Sequence, residues 1–222
     1  MFQIIVQIIL LIYSIFVIYY SNSLRKYNIN GFVINTSNIQ EVKENTIRLN
    51  PVILHTQSLF NINNPQLNHI QDINNYKNGT PSFVFKNKGL FERIVDKSLM
   101  FDFNILHEPH FHFPSKKTLS IIRGENNNPL KRCIHNHNII SVLEGDAIIY
   151  LFNPKHKDEI KNKENYQIKK WGHKKHLKKG NILFIPPYWS YIQEIKEGII
   201  QYHIDIDTYF TFIPNFLKEI YS

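Results

Sequence analysis

From Thr118 to Ile206 the chain repeats one texture: short apolar runs cut by polar turns. The runs are Thr118–Ile122, Asn138–Leu143, Ala147–Phe152, Ile182–Ile185, Tyr191–Ile195 and Ile199–Ile206. Turns are marked at Glu144-Gly145-Asp146, at Lys178-Lys179-Gly180 and at Lys196-Glu197-Gly198. Strands this short and this regularly interrupted predict an antiparallel sandwich or barrel. Upstream, Leu49–Leu54 and Ser82–Phe85 add two candidate strands. Apolar residues at Leu90, Phe91, Ile94, Val95 and Leu99 have helical spacing, which predicts a short amphipathic helix over 90–100. Asn61–Thr80, dense in Asn and broken by Pro65 and Gly79, reads as a long loop. Phe210–Tyr221 predicts a closing helix.

The amino-terminal pattern is different. Met1–Tyr20 contains no charged side chain, and only Gln3, Gln7 and Ser14 interrupt its apolar run. About 20 such residues cross a bilayer core as a helix. Tyr19 and Tyr20 stand where an interfacial aromatic belt belongs. A cleaved signal peptide would want a basic start and a small-x-small cleavage site, and neither is present. The expectation is a transmembrane anchor over 1–21, a polar linker over 22–50 leading into a short helical or irregular segment, and a folded domain over 51–222 with its core at 118–206. Arg25 and Lys26 follow the helix, so the positive-inside rule makes the chain a single-pass membrane protein with its carboxy-terminal domain in the cytosol.

Composition adds limits. The 222 residues suit one domain and an appendage, and 43% apolar content fills a core. The formal charge of +8 accompanies an excess of Ile, Asn, Lys and Tyr, which is the signature of an AT-rich coding sequence. The charge is therefore a weak argument for a nucleic-acid partner. Cys133 is the sole cysteine, which rules out an internal disulfide. No Gly-rich phosphate loop and no Gly-x-Ser-x-Gly elbow occurs.

The most specific stretch is Lys178–Gln193, Lys-Lys-Gly-Asn-Ile-Leu-Phe-Ile-Pro-Pro-Tyr-Trp-Ser-Tyr-Ile-Gln. Gly180 supplies a turn, and Pro186-Pro187 cannot donate to a ladder, so the strand must stop at Ile185. This corner resembles the Gly-Asp-x-Leu-Phe-Ile-Pro-Pro-x-Trp-Trp-His corner of the JmjC-like cupins, which are iron(II) and 2-oxoglutarate oxygenases. Asn138–Gly145 and Ile149–Pro154 resemble that family's Asn-Leu-Leu-Val-Gln-Leu-x-Gly hairpin, in the expected order. Divergent cupin-like proteins of large DNA viruses are similar too, with Tyr in place of the corner's His. The resemblance implies a mainly β fold, a double-stranded β-helix of the cupin or jelly-roll kind, with a few flanking helices.

The resemblance also implies where a metal would sit. Oxygenases of this family use two His and one carboxylate on one face of iron, leaving open positions for cosubstrate and dioxygen. On the family's register the His-x-Asp pair falls on Arg132 and Ile134, and the distal His falls on Tyr191. All three ligands are replaced, and a pocket lined by Arg132, Trp189 and Tyr191 is implied instead. No catalytic residue is assigned. A rearranged metal set stays open: His135 and His137 have strand-pair spacing, as do His203 and Asp205, with Glu194 as a further carboxylate. His110 and His112 form another pair, bracketed by Pro109 and Pro114, which favours an irregular edge segment.

Lys155–Lys179 carries ten lysines against Asp158, Glu159 and Glu164, and reads as a solvated, mobile loop. Its basic surface, Lys169, Lys170, Lys174, Lys175, Lys178 and Lys179, could lie on an anionic lipid leaflet beside the anchor. Two function classes follow. One is a membrane-anchored binding or structural module without a cofactor, whose protein or small-molecule ligand is unnamed. The other is an oxygenase using Fe(II) and 2-oxoglutarate on a rearranged site.

Overall fold

The computed structural model describes residues 2–24, 28–55, 83–87, 103–106, 109–161 and 163–221. In chain order the main elements are α1 (Phe2–Leu24), β1 (Ile34–Thr36), α2 (Ile39–Ile47), β2 (Val52–His55), β3 (Phe83–Asn87) and β4 (His112–Arg123). Then come β5 (Asn126–Asn127), β6 (Lys131–Arg132), β7 (His137–Phe152), α3 (Lys157–Ile160), α4 (Asn165–Ile168) and β8 (His173–Lys178). The chain closes with β9 (Asn181–Ile185), β10 (Ser190–Ile195), β11 (Gly198–Thr208) and α5 (Phe212–Tyr221). The expected loop over 61–80 and helix over 90–100, as well as Arg25 and Lys26, lie outside the described residues.

Strand pairing defines the fold. One face runs β1-β2-β9-β7-β11-β4-β3. The opposing face is built by β8, the second half of β7, β10, and the short β5 and β6. Apart from β1, which pairs in parallel with β2, the ladders are antiparallel. Strands that wind alternately from one sheet to the other in this order make a double-stranded β-helix, a jelly roll.

β7 joins the two sheets. Residues 138–145 pair with β9 and β11, and 146–152 pair with β8 and β10. The Glu144-Gly145-Asp146 signal is therefore a bend inside one strand, not the turn of a hairpin as expected. Gly145 makes the bend at φ +81°, and a Cβ there would lie 2.3 Å from the Gly198 carbonyl oxygen. No residue with a side chain fits that approach.

Alternation divides the side chains into layers. Ile53, Leu183, Ile185, Ile140 and Val142 point between the sheets, beside Ile149, Leu151, Trp189 and Tyr191. Their neighbours Val52, Leu54, Ile182, Phe184 and Ile139 point outward, under Val42 of α2 and Ile105 and Leu106. A strand buried on both faces reads as an unbroken apolar run, which is why Ile182–Ile185 shows no alternation. Residues 34–50, expected as linker, pack on the barrel as β1 and α2. Asn38 caps α2 by accepting a hydrogen bond from the Gln40 N–H.

The lysine-rich stretch is also structured, contrary to the expected mobile loop. It forms α3, α4 and β8, and Ile160 and Ile168 pack with Phe152, Ile192, Tyr150 and Trp171 on the outer face of the second sheet. Periodicity was hidden there because only those few apolar residues face inward. At the amino terminus, α1 is long and apolar enough to cross a membrane. Its window Phe2–Tyr19 has mean hydropathy 2.4, and none of it is buried by the rest of the chain.

Candidate functional site

A cavity of about 650 Å³ opens between the sheets. Its inner wall comes from the segment 131–135 and from Tyr191 of β10, and its opposite side from β4 and β11. The corner after β9 fixes this wall. Tyr188 donates its backbone N–H to the Cys133 carbonyl at 2.7 Å, and Cys133 donates to the Trp189 carbonyl at 2.8 Å. Tyr188 adopts φ 69°, a left-handed conformation that costs a non-glycine residue roughly 1–3 kcal/mol. Those two hydrogen bonds, and the Arg132 guanidinium 5.2 Å from the Tyr188 ring centroid, hold it there.

The same pairing sets Arg132 opposite Ser190 and Lys131 opposite Tyr191. Arg132, Ile134 and Tyr191 all line the cavity, where the oxygenase resemblance would require His, Asp and His. Arg132, exposed and opposite Ser190, turns its guanidinium onto the Tyr188 ring, so these positions offer the cavity a hydrocarbon and a phenol. Burial pushes the Tyr191 phenol well up from its ordinary value, helped by the nearby Cys133 and Asp205, so it stays protonated. Burial does the same to the Cys133 thiol. This set does not fit iron(II). Trp189 is fully buried but packs away from the cavity, near Gly31 and 6.2 Å from the His173 ring centroid.

A second group of polar residues gathers at the rim. His135 follows β6, Asp205 and Asp207 lie on β11, and Glu219 lies on α5. The His135 Nδ1 is 2.7 Å from Asp207 Oδ2, while its Nε2 faces Glu219 Oε1 at 3.4 Å and Asp205 Oδ2 at 3.7 Å. Asp207 is almost fully buried. It also accepts from Asn215 Nδ2 at 2.7 Å and from Thr211 Oγ1 at 3.5 Å. Asn138 donates its amide to Asp205, and Lys116 Nζ is 3.0 Å from Glu219.

Charge follows from these contacts. Burial alone would lower the His135 pKa, but its hydrogen bond to Asp207 and the three carboxylates together raise it above the ordinary value. Burial would raise Asp207, but His135, Ser115 and Asn215 hold it below the carboxylate range. Asp205 goes the other way: burial raises it, and His135, Asn138 and Lys116 only partly offset that. One ligand atom each of His135, Asp205 and Glu219 lies within 4.8 Å of the other two, close enough to share a metal ion. With Asp207 accepting from Nδ1–H, the Nε2 lone pair of a neutral His135 would face the two carboxylates.

The other sequence candidates lie elsewhere. His137 begins β7 and is buried against His112, with ring centroids 5.6 Å apart. Burial, then the charge of His112, pushes its pKa down to about 3. His203 lines the cavity on β11 but stands outside the close cluster. Glu194 faces outward and is bound by Lys169. His110 is exposed. Among the lysines, Lys170 stacks on Trp171 at 4.2 Å, and Lys174 and Lys178 are exposed on β8.

Sequence reasoning missed Asp207, Glu219 and Lys116. A signal was available: His203, Asp205 and Asp207 alternate along one strand, and Asn215 and Glu219 are spaced one turn apart in a helix whose one other charged residue is Lys218. It also missed a buried amide pair behind the cavity. Gln193 Nε2 donates to Gln201 Oε1 at 2.6 Å, and Gln201 Nε2 returns the bond at 3.0 Å.

Comparison with known proteins gives fold-level likeness only. No protein-family model matches the sequence, and no curated protein matches it. Among solved structures, the Drosophila melanogaster CENP-C cupin domain is similar at 11% identity and TM-score 0.30, over 40% of this chain and 59% of that one. A cupin superfamily protein from Desulfitobacterium hafniense is similar at 10% identity and TM-score 0.34, over 56% and 78%. The Schizosaccharomyces pombe Cnp3 cupin domain is similar at 15% identity and TM-score 0.32, over 54% and 67%. The chain therefore spans well under two thirds of the Drosophila domain. The jelly-roll assignment stands on the strand pairing itself.

Proposed function

We propose that the chain is a membrane-anchored jelly-roll module that binds a polar ligand in the barrel cavity and does no iron and 2-oxoglutarate chemistry. One observation carries this reading. The three positions that the JmjC-like resemblance assigns to iron ligands are Arg132, Ile134 and Tyr191, none of them a histidine or a carboxylate, and the hydrogen bonds of Cys133 to the 188–189 corner seat this segment beside the cavity. The cavity itself is retained, and Gln201 and Lys131 are among the polar residues that line it.

The test uses the full chain in detergent micelles. Oxygen uptake with iron(II) and 2-oxoglutarate supplied is expected to stay at the background of a heat-treated sample. Native mass spectrometry is expected to show a co-purifying small molecule that Thr118→Trp, which fills the cavity, displaces. Uptake dependent on 2-oxoglutarate would overturn the reading.

The rim favours a second reading, a divalent-cation site on His135, Asp205 and Glu219. Its support is the imidazole held from behind by Asp207, the arrangement that fixes a metal-binding tautomer. Two carboxylates and one imidazole suit manganese or zinc. Manganese titration of the full chain followed by electron paramagnetic resonance is the measurement. Saturable binding lost in Asp205→Asn supports the site, and unchanged free-ion signal excludes it.

A further inference from the structure

α5 is amphipathic the wrong way round for a soluble protein. An ordinary surface helix buries its apolar stripe and shows its polar face to water. Here Asn215 points into the barrel and Glu219 toward its rim, while Lys218 is exposed outside the apolar arc. Asn215 is buried on Asp207, and Glu219 reaches His135 and Lys116. The apolar residues Phe212, Ile213, Phe216, Leu217 and Ile220 point out, with Phe216 50% and Ile220 58% exposed. At 100° per residue these five share one contiguous arc of the helix.

The exposed arc does not stand alone. It continues through Tyr209 and Phe210 onto α1. Phe16 stacks on Phe210 with ring centroids 5.2 Å apart, and the Tyr13 hydroxyl donates to the Tyr209 carbonyl at 3.2 Å. Phe212 packs on Phe113 and Phe216, so the patch is one aromatic ledge and not scattered side chains. The apolar window of α1 ends at Tyr19. Tyr13 and Phe16 therefore lie roughly 9 and 5 Å inside that end, at 1.5 Å of rise per residue. An interfacial helix buries its apolar face to a depth of about 5–10 Å. The two depths agree.

We infer that α5, with Tyr209 and Phe210, is a second membrane contact, seated in the interfacial layer of the leaflet on the domain side of α1. The inference rests on the reading of α1 as an anchor. The occupant of the ledge is lipid, because the helix that shares its aromatic cluster has no buried residue in its apolar window and is long enough to cross a bilayer. Glu219, on the other face of α5, contacts His135, so α5 lies between the cavity rim and the bilayer.

The test places nitroxide labels on the full chain in phosphatidylcholine nanodiscs. Cys133, the only native cysteine, is buried and stays unlabelled. The labelled variants are Phe216→Cys, with Ile213→Cys as a repeat, Ile9→Cys in α1, and Lys196→Cys in the turn between β10 and β11. Accessibility to oxygen over a water-soluble nickel chelate is expected to be several-fold higher at Phe216→Cys than at Lys196→Cys. Equal ratios at these two sites, with Ile9→Cys in hydrocarbon, overturn the inference and leave the anchor standing. Water-accessible labels at both Ile9→Cys and Phe216→Cys overturn the anchor, and this inference with it. Dipolar broadening between labels at Phe216→Cys shows that a second copy covers the ledge, which also overturns it.

Discussion

The inner wall of the cavity and its rim lie side by side and are built on opposite principles. The wall, 131–134 with Tyr191, is set by backbone: strand register and the paired hydrogen bonds of Cys133. Its side chains can change chemistry without moving the chain, and they have a phenol and a hydrocarbon where ligands are expected. The rim is set by side chains. His135, Asp205, Asp207 and Glu219 come from a loop, a strand and a helix, and side-chain bonds among them and to Asn138, Asn215, Thr211 and Lys116 tie the three together. A site built on backbone can lose its function silently, whereas a site built on buried polar contacts cannot be emptied without cost.

The largest expected effect tests that contrast directly. Asp207→Ala leaves His135, Asn215 and Thr211 without their buried acceptor. Breaking a buried charged pair on one side costs about 3–5 kcal/mol. Chemical denaturation of the full chain in detergent, followed by near-ultraviolet circular dichroism, reads it.

The pH profile comes next. His137 titrates at about 3 when folded because it is buried, against roughly 6.5 in an unfolded chain. Its folded pKa is depressed, so its contribution is complete above about 6.5 and is lost as pH falls toward 3, a swing on the order of 4–5 kcal/mol. Asp207, also depressed, acts in the same direction. His135 is raised and acts oppositely: its contribution is present in mild acid and declines as pH rises through its folded pKa. His137→Gln is expected to flatten the acid limb of a stability-against-pH curve and leave the limb above neutrality in place.

Smaller effects sharpen the comparison. Glu219 is one-third exposed, so Glu219→Gln costs no more than about 1 kcal/mol after solvent screening. Tyr191→Phe, on the wall, is expected to change stability by less than about 0.5 kcal/mol. A loss at Tyr191 as large as that at Asp207 would erase the distinction between the two regions.

The sequence made the wall readable and left the rim obscure, for a physical reason. Strand runs, the stop at Pro186 and the closing helix are local patterns, and each lies where expected. Counting along the chain set Arg132 and Tyr191 at the cavity, but Trp189, expected with them, packs away from it. Continuous passage of β7 through Gly145 was hidden because glycine between acids looks the same in a turn and in a sharp bend. In the lysine-rich stretch, Ile160 and Ile168 were too sparse to show a period. The rim brings together residues as far apart as 116, 135 and 219, and no local spacing announces that. Its two fragments were visible, the 203–205–207 alternation and the 215–219 turn, but only the fold shows that both face His135.

The most direct measurement is an anaerobic titration of the full chain with iron(II) and 2-oxoglutarate, followed by visible absorption. An inner wall of Arg132, Ile134 and Tyr191 predicts no charge-transfer band that depends on 2-oxoglutarate at any ratio. A saturable band reaching one iron per chain would contradict it.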